Sequence, residues 1–98
     1  MTIIELSQAY HTIHANRIDL DRRITALPNT DILGKDRLLL EMQFVLANLV
    51  NTERLLASTH ATDMSEVRAK AEVLILTNDL DAITALALSL AKDVVRIA

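Results

Sequence analysis

Two histidines, His11 and His14, stand three residues apart, a spacing that puts both on one face of a helix. Helical histidines so placed can share a metal ion. Metal sites in helical bundles complete the set with Glu-x-x-His pairs and carboxylates from other helices. Here Gln8 stands three residues before His11, and His11 itself stands three before His14. Glu53, His60 or Asp63 can offer a third ligand, but no motif specifies any of them. The pair is expected to be polar and half-exposed, and no metal is expected.

Arg17 is the one charged residue on an otherwise apolar stripe of the first helical segment. Three roles are open to it. It can keep its head in water while its stem covers apolar surface. It can pair with Glu41 or Glu53 across a helix pair and fix the register. It can bind a ligand, in a candidate polar pocket with His14, Gln43 and Asn51, near Asn48 and Thr52. Asp79 and Asp81 flank Leu80 at a helix start, where carboxylates offset the dipole. Ser7, Ser58, Ser65 and Ser89 lack the flanking glycines of a nucleophile elbow. One glycine in 98 residues excludes a phosphate-cradling loop, and the absence of cysteine excludes a thiolate-held zinc or iron–sulfur site. No catalytic residue and no cofactor are expected.

The elements that must position these side chains are helices. Half of the chain, 51%, is apolar, with one proline and one glycine to serve every turn, which disfavours a sandwich or barrel. Thr2-x-x-Glu5 is a capping box opening a first helix that Pro28 ends near Leu27. Leu6, Tyr10, Ile13, Arg17, Leu20, Ile24 and Leu27 follow the alternating steps of four and three of a helix-pairing seam. Residues 28–34 hold the turn chemistry, with Thr30 or Asp31 as the next cap. A second segment from about Lys35 to Thr59 repeats the seam at Leu38, Met42, Val45, Leu49, Thr52 and Leu56. It is apolar around most of its circumference, so it is expected to be central. Asp63-x-x-Glu66 opens a third segment with Val67, Ala71, Leu74 and Ile75 facing inward. A fourth runs from about Asp81 to Ile97 with Ile83, Leu86, Leu90, Val94 and Ile97 in line. Whether the last two are separate or one kinked helix stays open, because residues 78–81 contain neither glycine nor proline.

The expected fold is thus all-α, one domain over 1–98: a long antiparallel hairpin with two shorter helices, a helical bundle completed by dimerisation. Segments two and four carry apolar residues on more than one face, and Leu39, Leu46, Val50, Leu86, Leu88 and Val95 are the expected interface. The formal charge of −3 is spread evenly, five basic and six acidic residues in 1–49 against five and seven in 50–98. No basic patch would neutralise phosphates, so no nucleic-acid partner is expected. The most apolar window, residues 82–91, is half the length of a membrane span, so no membrane partner is expected and the chain is placed in the cytoplasm.

Two stretches resemble known families. Arg17-Ile18-Asp19-Leu20-Asp21-Arg22 resembles the first-helix signature of the all-helical chorismate mutases. That resemblance implies a small dimeric enzyme with cationic groups converging on a dicarboxylate. The family's preceding arginine falls on Ala15, and its second arginine falls in Pro28-Asn29-Thr30. Lys35 matches its loop lysine loosely, and its late glutamine or glutamate has no counterpart in residues 89–92. Residues 69–74 and 89–94, Ala-Lys-Ala-Glu-Val-Leu and Ser-Leu-Ala-Lys-Asp-Val, resemble the end of small helical α-proteobacterial proteins with no assigned activity. The function expected from the sequence is a non-enzymatic, self-associating interaction or regulatory module, with an unidentified protein as a further candidate partner. The alternative is a small helical enzyme or ligand-binding protein with a pocket around Arg17.

Overall fold

The computed structural model describes residues 1–97; Ala98 lies outside them. Four helices follow in order: α1 (Ile3–Ala26), α2 (Ile32–Ser58), α3 (Met64–Leu76) and α4 (Leu80–Ile97). Each begins where a side chain satisfies an orphan backbone N–H. The Glu5 N–H donates to Thr2 Oγ1 at 3.1 Å while the Thr2 N–H donates to the Glu5 carboxylate at 3.3 Å, a complete capping box. Asp63 accepts from the Glu66 N–H at 2.9 Å, and Asp79 from the Ala82 N–H at 3.1 Å.

Asp31 accepts from the Gly34 N–H at 3.0 Å. This cap starts α2 at Ile32, three residues before the Lys35 expected from the sequence, so Gly34 sits inside its first turn. A Cβ at position 34 would lie 2.5 Å from Asp31 Oδ2. Between α3 and α4 the helix is interrupted over residues 77–79, which makes them separate elements.

α1 and α2 form the long antiparallel hairpin. α3 lies along α1 in the same direction: Ser7 Oγ donates to the Ala69 carbonyl at 3.4 Å, and the Tyr10 and Thr77 hydroxyls stand 3.5 Å apart. α4 then returns beside α2. The principal contacts make a ring in which α1 touches α2 and α3, and α4 touches α2 and α3. No helix is central, which corrects the expectation for α2. The core, including Ile3, Leu6, Tyr10, Leu49, Leu56, Val67, Val73 and Leu86, lies where the four helices overlap.

The α3–α4 turn ends partway along the hairpin, beside Tyr10, Arg17 and Val50. Beyond it α1 and α2 continue alone as an arm, sealed along its own seam by Leu20 and Leu38. The molecule is therefore elongated, 57 × 22 × 18 Å, with a radius of gyration of 15.9 Å. A compact chain of this length would have about 13 Å.

Three inward positions differ from expectation. Ile75 is 81% exposed and Val94 is also exposed, while Lys70 and Asp93 take the buried positions on those helices. Leu86 was expected at an interface. It is fully buried in the core, because the face of α4 that carries it is the one closed by α2 and α3.

Candidate functional site

Three places in the fold bring together groups that could work. The first is a buried polar cluster between α3 and α4. Lys70 and Asp93 are both completely buried, with Nζ 2.6 Å from Asp93 Oδ2. Lys70 Nζ also donates to Ser89 Oγ at 2.6 Å and to the Thr59 carbonyl at 2.9 Å. Burial pushes the Asp93 carboxyl up. Hydrogen bonds from Lys70 and the Ala61 backbone, with the charges of Lys70 and Arg96, outweigh this and hold it below the usual carboxylate value. Arg96 closes the outer side, its Nη1 3.3 Å from both Asp93 Oδ1 and the Ala61 carbonyl, and its Nη2 3.1 Å from His60 Nδ1.

A serine hydroxyl this near a lysine amine has the separation of a nucleophile–base pair. The chemistry does not follow. Lys70 Nζ donates at once to Asp93, Ser89 and Thr59, so in this arrangement it serves Ser89 as a donor and not as a base. The cluster instead ties the α2–α3 connection to α4.

The second place is a cleft of about 360 Å³ at the α3–α4 turn, where Arg17, Tyr10, Glu53 and Asp79 meet Leu46, Leu49 and Val50. Arg17 has no ion pair among the described residues, so of its three open roles the pairing with Glu41 or Glu53 is absent. Glu53 is only 4% exposed. Burial pushes its carboxyl up, the neighbouring Thr77 hydroxyl opposes this, and the Asp79 charge adds to it. Burial likewise raises the Tyr10 phenol.

The expected polar pocket is only partly assembled. Arg17 lines the cleft, but Gln43 and Asn51 are exposed and lie outside its lining. They sit on the solvent side of α2, away from the seam that Leu49 and Leu56 mark. His14 is half-buried, stacked on Tyr10 at 6.2 Å between centroids, and its Nδ1 is buried without a hydrogen-bond partner. His11 turns to Glu72, 3.9 Å away. Among the described residues no three metal-ligating side chains gather.

The third place is the arm. Ile18 on α1 and Leu39, Leu40, Phe44 and Leu46 on α2 are exposed, Phe44 at 67% and Leu46 at 43%. Leu46 and Leu39 continue the side of α2 that α4 covers lower down through Val50 and Ala57. Of the expected interface residues, Leu39, Leu46, Leu88 and Val95 are exposed and Val50 is half-buried.

Lys70 and Asp93 were missed from the sequence, although a signal was present. Lys70 lies three residues from Val67 and from Val73, and Asp93 four before Ile97, so opposite charges sit on the apolar stripes of successive helices. Among the described residues no helix is long and apolar enough to cross a membrane. No family model, curated protein or solved structure matches the chain.

Proposed function

We propose that this chain is a non-enzymatic helical interaction module that self-associates, and that its working surface is the apolar face of the α1–α2 arm. The observation that carries this reading is the uncovered stretch beyond the α3–α4 turn. Four helices enclose one core in the lower part of the molecule. Above it, two helices present Ile18, Leu39, Leu40, Phe44 and Leu46 to water. Leu39 and Leu46 lie on the side of α2 that α4 covers lower down, whereas Leu40 and Phe44 lie about a third of a turn further round. Exposed apolar residues on a small domain mark an association site, and a second helical pair laid on the Leu39–Leu46 side would complete a four-helix bundle.

Leu46→Asp tests the reading by light scattering. Leu46 contributes little to the core, so the variant should keep its helical circular dichroism and fall to the mass of one chain. The wild type should have twice that mass. A wild type with the mass of a single chain at every concentration overturns the reading.

The cleft at Arg17 favours a second reading, binding of a small ligand. Its single feature is a buried carboxylate, Glu53, in a space also lined by Arg17 and Tyr10. Under that reading a ligand raises the melting temperature of the wild type and not of Arg17→Ala.

A further inference from the structure

The arm carries its charge differently from the rest of the chain. Residues 15–46 hold five basic side chains (Arg17, Arg22, Arg23, Lys35, Arg37) and five acidic ones (Asp19, Asp21, Asp31, Asp36, Glu41). They are neutral, so the whole formal charge of −3 lies in the four-helix part. Two arms can meet without net repulsion, whereas two of the negatively charged four-helix parts would repel.

The two ends of the arm are also unlike each other. The tip, residues 21–37, has four basic and three acidic side chains, a net of +1. The α3–α4 turn, residues 75–81, has Asp79 and Asp81 and no cation, a net of −2. Both ends are apolar as well as charged. Ile32 and Leu33 are exposed at the tip, and Ile75 and Leu80 at the turn.

From the turn, level with Val50, to the tip at Gly34 is sixteen residues of α2, about 24 Å at the helical rise. Two helices side by side are about 20 Å wide, so the arm offers about 500 Å² of projected surface, or about 1,000 Å² for two copies. That stands at the lower limit of specific interfaces. Contacts at both ends would bring it within the range.

We infer that two copies pair arm on arm, antiparallel about a two-fold axis, so that each tip rests against the partner's α3–α4 turn. This rests on the self-association reading above and specifies its geometry. In this arrangement the weakly positive tip faces the acidic turn, and Ile32, seven residues before Leu39 on the same side of α2, meets the apolar residues around that turn. A parallel pairing would set two acidic turns against each other. Each partner arm then takes, above the turn, the place that α3 and α4 occupy below it.

The chain has no cysteine, so single cysteines report the pairing cleanly. Ile32→Cys and Leu80→Cys chains, prepared separately and mixed, should be joined by a short thiol cross-linker. Either variant alone should not. Cross-linking of each variant with itself, or none at all while the dimer persists, overturns the antiparallel arrangement but leaves self-association standing. A second measurement covers disruption by the cysteines themselves. Asp81→Asn should weaken dimerisation about threefold at low salt, because it removes attraction to the tip. Tighter dimerisation would mean that turn meets turn. A wild type that sediments only as one chain defeats the underlying reading as well.

Discussion

At the scale of single residues, the side chains most committed to the fold are charged. Removing one partner of a buried ion pair leaves the other uncompensated, at a cost of about 3–5 kcal/mol. Lys70→Met and Asp93→Leu should each lower stability by about that amount in urea titrations. The double variant should lose less than the sum of the two, keeping a loss of about 1–3 kcal/mol because the Thr59 carbonyl and the Ala61 backbone are left without their partners. Strict additivity of the two losses would show that the pair does not act as a unit.

The two buried carboxyls respond oppositely to pH. Asp93 is held below the usual value, so its stabilisation is present above the unfolded pKa and is lost as pH falls through the folded one. Glu53 is raised, so from the ordinary glutamate value upward the folded chain keeps a proton that the unfolded chain has lost. Stability from that source declines as pH rises through the folded pKa. Glu53→Gln should remove the decline and raise the melting temperature at neutral pH. An unchanged pH profile of melting would show that Glu53 does not titrate differently in the two states. Arg17 was legible in the sequence as a charge on a seam. Which of its three open roles it takes was not, because side-chain pairing depends on the rotation of α2 and on where α3 ends.

At the scale of elements, local chemistry was highly legible. The Thr2–Glu5 box, the Asp63 cap and the stop at Pro28 follow from side chains within a few residues of each helix end. The α2 start was less legible, because Gly34 also reads as the end of a loop. Its role is now specific: the missing Cβ leaves room for the capping carboxylate. Asp31→Ala should cost about 1 kcal/mol. Gly34→Ala would gain about 1 kcal/mol of helix propensity at an open position, but here the methyl displaces the cap, so the two effects should nearly cancel. A full gain in the melting temperature would show that the Asp31 cap is dispensable. The inward faces of α3 and α4 were misjudged at Ile75 and Val94 for one reason. Apolar periodicity alone cannot reveal that Lys70 and Asp93 satisfy each other and so take interior positions.

At the scale of the whole molecule, the sequence supports a long hairpin with two shorter helices but not their stagger. Equal seams on α1 and α2 set the hairpin. Nothing in the residue pattern says how far along it the α3–α4 turn will reach. That level decides the functional argument, since it separates apolar residues of α2 that α4 covers from those left in water. Leu86 and Leu46 look alike in sequence, yet one is core and the other lies on the bare arm. In the function proposed above, the bare arm is completed by another copy of the chain. Sedimentation equilibrium of the wild-type chain, from micromolar to near-millimolar concentration, tests it most directly. The expected result is a reversible, concentration-dependent rise from 10.9 kDa to twice that mass, with Leu46→Asp remaining at the lower value throughout. A wild-type chain that stays at 10.9 kDa across the range, or a Leu46→Asp chain that dimerises as well as the wild type, would contradict it.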